Sequence, residues 1–182
     1  MRLDIDAGLI EDARFLSSPN CDDRPNGATP ELIVVHAISL PPGEFGGHWI
    51  DDLFCNCLDP DAHPYFRDIF DQHVSAHMLI RRNGGLTQYV PFHRRAWHAG
   101  ESSYCQRHGC NDFSVGIELE GCDEQPFEPV QYERLAEVIA ALETAYAGID
   151  RSRVVGHSDI APGRKTDPGP CFDWKRLNEL LA

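Results

Sequence analysis

The amino-acid sequence predicts an α/β fold, in which helices flank a central mixed β-sheet within a single domain. The chain has 182 residues, of which 42% are hydrophobic, and this is enough to bury one sizeable core. Strand-like and helix-like segments follow one another without internal repeats. One strand-like run is continuously apolar and another alternates at period two. We therefore expect one domain that spans residues 1–182.

The first clear strand is expected in "LIVVH", residues 32–36, because a short β-branched run is typical of a strand buried on both faces. His36 would stand at the carboxyl end of this strand, where open α/β sheets bind their ligands. The connection that follows, residues 38–70, is broken by Pro and Gly into short helical pieces. A connection of this length inside a compact domain is expected to line a binding site.

The remaining elements follow from turns and periodicity. Residues 75–90, "SAHMLIRRNGGLTQYV", predict a hairpin with Asn83 and Gly84 in its turn. Residues 113–121, "FSVGIELEG", alternate at period two and predict a strand with one apolar face, so that Glu118 on the other face would ordinarily meet solvent. Helical spacing over residues 130–146, with Pro129 at the start, predicts a helix, and "FDWKRLNELLA" predicts a short amphipathic one.

Charge and cysteine content exclude several classes of partner. A formal net charge of −13 argues against nucleic acid, whose phosphates require clustered Lys and Arg. We expect no membrane insertion, because no apolar run approaches about 18 residues. The acidic N-terminal segment does not resemble a secretory signal, and the seven cysteines include no CxxC pair. Reduced thiols and a cytoplasmic location are therefore expected, and no obligate protein partner is evident.

The stretch "GHSDIAPGRKTDPGP", residues 156–170, concentrates titratable groups where neither a good helix nor a central strand is expected. Catalytic zinc usually takes three protein ligands and keeps one position for water. A loop that folds back would bring His157 and Asp167 together, and His36 is the third ligand that we favour. Lys165 would share a face with Asp167 in an extended segment, where its charge suits an oxyanion. Spacing alone leaves open a solvated loop with surface ion pairs.

The same stretch resembles the zinc-ligand segment of the AmpD family of 1,6-anhydro-N-acetylmuramyl-L-alanine amidases. This family belongs to the zinc N-acetylmuramoyl-L-alanine amidase superfamily, which includes the peptidoglycan recognition proteins. The segments "VVHAISLPPGEFGG", "VSAHMLIRRNGGLTQYVPF", "RAWHAG" and "CNDFSVGIELEG" also resemble family segments, in the family's order, from about Pro19 onward. The resemblance implies the zinc amidase fold, a zinc cofactor and an anhydromuropeptide substrate in peptidoglycan recycling.

The resemblance also implies roles for individual residues. His36, His157 and Asp167 would be the zinc ligands. Glu118 would be the catalytic carboxylate, and Lys165 the cation that polarises the substrate. The bond cut would join the lactyl group of the anhydromuramic acid to the amine of L-alanine.

Candidates for substrate binding are Trp97, at the muramyl end of the groove, and Arg164, which would meet a carboxylate of the stem peptide. A second interpretation of Arg164 is a surface pair with Asp159 or Asp167. Arg107 is a weaker carboxylate partner, and His98 is interpreted as a hydrogen-bonded structural or groove residue.

Two residues depart from the family pattern, and two other functions remain open. Ala37 stands where family members have Asn, and Gly163 where they usually have Glu, so hydrogen bonds around the ligands are in question. A binding module of the same fold without catalysis is one alternative. A zinc peptidase that cuts within the stem peptide is the other. The complete set of ligands, carboxylate and lysine favours the amidase.

Overall fold

A computed structural model describes residues 1–182. Its strands are β1 (Leu3–Asp4), β2 (Leu9–Ile10), β3 (Arg14–Phe15), β4 (Cys21–Asp23), β5 (Leu32–Ile38), β6 (Met78–Ile80), β7 (Leu86–Gln88), β8 (Arg94–Ala96), β9 (Ser103–Tyr104), β10 (Arg107–His108), β11 (Ser114–Glu120) and β12 (Val154–Gly156). Its α-helices are α1 (Trp49–Phe54), α2 (Pro129–Ala145), α3 (His157–Ile160) and α4 (Trp174–Leu181). Short 3-10 turns span Pro25–Gly27, Pro64–Asp68, Cys110–Asp112 and Arg151–Arg153.

Six strands form the central sheet in the order β12-β5-β11-β6-β7-β3. The four strands β12, β5, β11 and β6 run parallel to their neighbours, β7 is antiparallel to β6, and β3 is parallel to β7. The predicted α/β fold with a mixed sheet is therefore confirmed. No helix of the chain combines the length and the apolar character that a bilayer crossing requires.

The two predicted helices are present near their expected bounds. Helix α2 begins at Pro129, whose missing N–H is not needed in the first turn, and ends one residue before the predicted end. The backbone N–H of Glu128 donates to the side chain of Gln131 and closes the start of this helix. Helix α4 begins after Asp173, whose carboxylate accepts the backbone N–H of Arg176.

The main core lies between the sheet and these two helices. Alternate residues of β11, Val115, Ile117 and Leu119, point to this side and belong to one buried cluster with α2 and α4 residues. The intervening residues Ser114, Gly116 and Glu118 therefore occupy the opposite face. This polar face of β11 is the floor of the site described below.

Strand β5 is longer than expected, and β11 is more buried than an alternating strand ordinarily is. Strand β5 continues to Ile38, so His36 is not its last residue. Strand β11 is buried along its whole length, and Glu118 is only 8% exposed. The reason is that loops of the chain cover the second face: an added Cβ on Gly116 would lie 2.4 Å from the His98 ring.

The predicted hairpin is confirmed by the antiparallel pairing of β6 and β7. Its turn contains Gly84 with φ of +82°, a conformation that favours glycine. Behind the hairpin, Asp51 of α1 is buried and accepts hydrogen bonds from Arg14, Arg81 and Tyr89. These bonds tie α1, and the long connection that contains it, to the edge of the sheet.

Candidate metal centre

Three parts of the chain bring His36, His157 and Asp167 together. His36 comes from β5, His157 opens α3 directly after β12, and Asp167 follows on the loop that returns past α3. The Nδ1 atoms of the two histidines lie 3.0 Å apart. Each of them lies 3.1 Å from Oδ2 of Asp167. One atom from each of the three predicted zinc ligands thus stands at the corner of a nearly equilateral triangle.

The spacing of this triangle suits a metal ion. Bonds of about 2.0–2.2 Å in a tetrahedral site place ligand atoms roughly 3.3–3.6 Å apart, a few tenths of an ångström more than the distances found here. The orientation of His157 fits as well, because its Nε2 lies 3.2 Å from the backbone oxygen of Ala99. A carbonyl only accepts, so the ring proton of neutral His157 is on Nε2 and its Nδ1 lone pair faces the triangle.

Protonation states favour metal binding too. Burial lowers the pKa of His36 to about 4, although the hydrogen bond with Asp167 opposes this shift. Burial raises the pKa of Asp167, but its contacts with His157 and His36 outweigh burial and bring the pKa well below the usual range. At neutral pH, His36 is therefore neutral and Asp167 is ionised, the forms that ligate a metal.

Glu118 stands next to this triangle without a partner. It faces His36 across the parallel pair of β11 and β5. Its Oε2 atom is buried and makes no hydrogen bond. Burial raises the pKa of Glu118 well above its usual value, the charge of Asp167 adds to the rise, and Lys165 opposes it. A buried carboxyl group of raised pKa beside a metal site is suited to proton transfer.

A cavity of about 510 Å³ opens above the triangle and Glu118. Its apolar wall comes from the connection of residues 38–70, as predicted, and includes Leu40, Leu53 and Ile69. The opposite rim carries Arg164 and Lys165, and residues 121–124 line a further part of it. The cavity therefore offers apolar surface and charged groups to one bound molecule.

Two substrate-binding candidates, Trp97 and Arg107, lie outside the lining of this cavity. Trp97 does not line the cavity, because its indole N–H donates to Asp22 at 3.2 Å. Arg107 lies at a different cavity, where it pairs with Glu31 at 3.0 Å and stacks over the ring of Phe113. Their roles in substrate binding therefore stay predictions.

Arg164 and His98 do line the cavity. Arg164 pairs with neither Asp159 nor Asp167: its Nη2 donates to the backbone oxygens of Ala99 at 2.7 Å and of Glu101 at 2.6 Å. Both ring nitrogens of His98 have protein partners, so His98 does not bind substrate as a free imidazole.

The two departures from the family pattern have simple local explanations. Ala37 packs against the main core cluster, so a small apolar side chain fits there. Gly163 has φ of +78°, which an L-residue such as Glu adopts at a cost. Neither residue contributes a side-chain hydrogen bond to the ligand triangle.

Sequence analysis missed Ser114 and Gly116. Both share the buried face of β11 with Glu118, and both contact His98: Ser114 through its hydroxyl at 3.1 Å, and Gly116 by leaving room for the ring. The signal was present in the period-two pattern, where two small residues precede the glutamate on one face.

The site combines two imidazoles and a carboxylate with an unpartnered carboxyl group, on the floor of an open cavity. Metal-dependent hydrolases use sites of this kind. The N-acetylmuramoyl-L-alanine amidase family model matches residues 26–170. The chain belongs to this family, and it is an N-acetylmuramoyl-L-alanine amidase. The family and the activity implied by the sequence resemblance are thus confirmed.

Similarity to individual proteins supports the assignment of the chain to this family. The chain is 56% identical to the 1,6-anhydro-N-acetylmuramyl-L-alanine amidase AmpD of Citrobacter freundii, over 98% of this chain and 95% of that protein. A crystal structure of a selenomethionine AmpD derivative superposes with a TM-score of 0.96 at 56% identity, covering 100% of both chains. Escherichia coli AmiD, in complex with anhydro-N-acetylmuramic acid-L-Ala-D-γ-Glu-L-Lys, matches at 32% identity and a TM-score of 0.61, covering 85% of this chain and 59% of AmiD.

Proposed function

We propose that the chain uses zinc to hydrolyse the amide between the lactyl group of 1,6-anhydro-N-acetylmuramic acid and the L-alanine of the stem peptide. The observation that carries the proposal is the convergence of His36, His157 and Asp167 beside the unpartnered oxygen of Glu118. The substrate named for the AmpD relative and the anhydromuropeptide bound to AmiD support the choice of substrate.

In this proposal His36, His157 and Asp167 hold the ion, and the two neutral imidazoles and one carboxylate leave the site with net positive charge. Zinc at this position would polarise the scissile carbonyl and lower the pKa of a water molecule toward about 7. The three protein atoms leave one side of the triangle open to the cavity, where water and the amide can enter.

Glu118 moves the proton. It accepts a proton from the attacking water while the water oxygen bonds to the lactyl carbonyl carbon. When the C–N bond breaks, Glu118 returns the proton to the departing amine of L-alanine, so that no net proton is gained or lost. Because burial raises its pKa, Glu118 holds the proton well between the two transfers.

Lys165 supplies positive charge on the exposed rim of the cavity. In the proposed mechanism its ammonium stabilises the oxyanion that develops on the lactyl carbonyl oxygen. Arg164, its neighbour on the same rim, remains the proposed partner for a carboxylate of the stem peptide. Its Nη1 and Nε atoms make no hydrogen bond within the chain, whereas Nη2 is occupied.

The proposal treats residues 1–182 as one amidase domain. Residues outside the family match still join the fold: β3 extends the central sheet, and Leu177 and Leu181 of α4 belong to the main core cluster. We also retain a cytoplasmic role in peptidoglycan recycling as part of the proposal. All seven cysteines are unpaired, which is typical of a reducing compartment.

Mass spectrometry of an anhydromuropeptide, incubated with the zinc-loaded protein, tests the proposal. We expect two products, the free anhydromuramic acid and a peptide that begins with L-alanine. Glu118→Gln, assayed in parallel, should bind the same substrate and leave it intact. Cleavage inside the stem peptide would indicate the peptidase instead, and binding without cleavage by the parent protein would indicate a binding module.

A further inference from the structure

His98 is held at the back of the candidate metal centre by contacts that the proposed mechanism does not use. Its backbone N–H donates to Oδ1 of Asn111 at 3.1 Å. Its Nδ1 lies 2.9 Å from Nε2 of His36, and its Nε2 lies 3.1 Å from the hydroxyl of Ser114. The absence of a side chain on Gly116 leaves space for the ring, since an added Cβ would lie within 2.4–2.7 Å of three ring atoms.

The direction of these hydrogen bonds follows from the hydrogen bond that the hydroxyl of Ser114 makes. The hydroxyl of Ser114 lies 2.6 Å from the backbone oxygen of Cys110, which only accepts, so the hydroxyl proton is directed there. The oxygen of Ser114 must then accept from His98, which places the ring proton of His98 on Nε2. The Nδ1 atom of a neutral His98 is left without a proton and accepts the Nε2 proton of His36.

This series of hydrogen bonds, from Ser114 through His98 to His36, ends at the candidate metal centre. A neutral His36 that carries its proton on Nε2 has a bare Nδ1, and this is the atom that faces Asp167 and His157. Without His98, the favourable alternative is the reverse tautomer, in which His36 Nδ1–H donates to the Asp167 carboxylate 3.1 Å away. That tautomer would block the ligand atom with a proton.

We propose that His98, oriented by Ser114 and accommodated by Gly116, is a positioning residue that fixes the proton of His36 on Nε2 and keeps its Nδ1 lone pair directed to the metal. The inference rests on the proposed function, because it assumes that His36 ligates the ion. Hydrogen-bonding partners behind ligand histidines set the tautomer and ring orientation in this way. Removal of such a partner typically lowers metal affinity by about 10–100-fold.

The direct test is nitrogen NMR of the metal-free protein with labelled imidazoles, with the His36 signals assigned from the spectrum of His36→Ala. We expect Nε2 to carry the proton in the parent. In His98→Phe, which keeps a ring of similar size and removes the acceptor, we expect the proton to move to Nδ1. A parent protein with the proton on Nδ1 would overturn the inference.

Zinc affinity, measured by competition with a chromophoric chelator, gives a second readout that does not depend on catalysis. His98→Phe should weaken zinc binding about 10–100-fold, and His98→Asn, whose amide oxygen can take the place of Nδ1, should recover most of the loss. His73→Phe, on an exposed histidine, is the matched control and should bind zinc as the parent does. Equal affinity of His98→Phe and the parent would contradict the role.

Ser114→Ala covers the case in which His98→Phe fails to fold. This variant leaves the rings of His36 and His98 in place but removes the hydroxyl that accepts the Nε2 proton of His98. His36 should then populate both tautomers and bind zinc more weakly. If His36 in Ser114→Ala keeps the same tautomer as in the parent, Ser114 does not orient His98 as proposed. If the parent binds no zinc at all, the proposed function fails, while the NMR spectrum still decides where the His36 proton resides.

Discussion

Glu118 and His36 lie directly opposite each other on the adjacent parallel strands β11 and β5. The register places the carboxyl group and the imidazole on the same face of the sheet, at the floor of the cavity. Because both strands are buried and paired on both sides, neither residue can shift along its strand without breaking the sheet. The sheet itself thus sets the distance between the proposed base and one proposed ligand.

The first prediction concerns proton transfer. Glu118→Gln keeps the shape of the side chain but cannot accept the proton of water, so we expect activity to fall by about 10²-fold or more with zinc content unchanged. Glu133→Gln, on an exposed carboxylate of α2 outside the cavity, is the matched control. Hydrolysis rates and metal content should be measured on the same preparations. A Glu118→Gln variant with the parental rate would mean that another group carries the proton.

Two other carboxylates are poor substitutes for Glu118. Glu120 accepts hydrogen bonds from the backbone N–H groups of Gly46 and Arg82 and from Arg81. Asp159 accepts the backbone N–H of Gly156 at 2.7 Å. Their lone pairs already have partners in the fold, whereas Oε2 of Glu118 has none.

The second prediction follows from the raised pKa of Glu118. Since the pKa in the folded protein exceeds its ordinary value of 4.5, protonation favours the folded state, and this stabilisation is lost as pH rises through the folded pKa. The metal-free Glu118→Gln variant should therefore match the parent near pH 4 and be more stable at pH 7–8. We expect a gain of about 1–3 kcal/mol in the free energy of unfolding.

Thermal unfolding at the two pH values measures this difference. A gain of that size corresponds to roughly 2–4 °C in Tm per kcal/mol for a chain of this length. Zinc should reduce the gap, because a nearby cation stabilises the ionised carboxylate of the parent. Equal Tm values for the metal-free parent and variant at pH 8 would show that the buried carboxylate is solvated or paired in solution.

The sequence predicted the elements of this site better than their surroundings. The run of residues 32–36 and the period-two pattern of residues 113–121 located β5 and β11, because local hydrophobicity determines where strands form. The burial of this face of β11 depends on the loop that contains His98, a residue 16 positions before Ser114 whose ring packs against Gly116. Periodicity carries no information about what covers a sheet face, so the burial of β11 was not predictable from it.

The third prediction concerns the metal. His157→Ala removes one of three ligands, so we expect it to lose tight zinc binding and activity together. The exposed His73 offers a matched control, His73→Ala, which should retain both. Metal analysis after dialysis checks the outcome. Full zinc content in His157→Ala would exclude His157 as a ligand, and the triangle would then need another explanation.

The fourth prediction concerns the anchor of α1. Asp51→Ala leaves the guanidinium of Arg81 and the hydroxyl of Tyr89 without their buried acceptor, so we expect a loss of about 3–5 kcal/mol in the free energy of unfolding. The neighbouring Asp52 faces His48 at the surface, and Asp52→Ala should cost less than about 1 kcal/mol. Urea unfolding of both variants checks this. Similar losses would mean that Asp51 does not anchor the helix.

The surroundings of two binding candidates, Trp97 and Arg107, show a second limit of sequence analysis. Trp97 and Arg107 were chosen for their residue type and for their position in family-like segments. Trp97 donates to Asp22, and Arg107 pairs with Glu31 and stacks over Phe113. Asp22 and Glu31 lie 75 and 76 residues away along the chain. Long-range pairs of this kind are set by the packed fold and leave no mark in the local pattern.

The last prediction concerns recognition of the stem peptide by Arg164. A protein with a net charge of −13 repels the carboxylates of its substrate at long range, so a cation at the cavity must compensate. Nη2 of Arg164 is fixed by the backbone oxygens of Ala99 and Glu101, and the other N–H groups of this cavity-lining guanidinium make no hydrogen bond within the chain. An arginine held in this way can bind a carboxylate with less loss of side-chain freedom.

We expect Arg164→Ala to raise KM more for a substrate with a tripeptide than for one with L-alanine alone. It should change kcat less, because the contact is made in the ground state and the transition state alike. Arg164→Lys should recover only part of the effect, since lysine cannot make two parallel hydrogen bonds. Steady-state kinetics on both substrates distinguishes this role from simple bracing of the loop at Ala99, which would raise KM equally for the two.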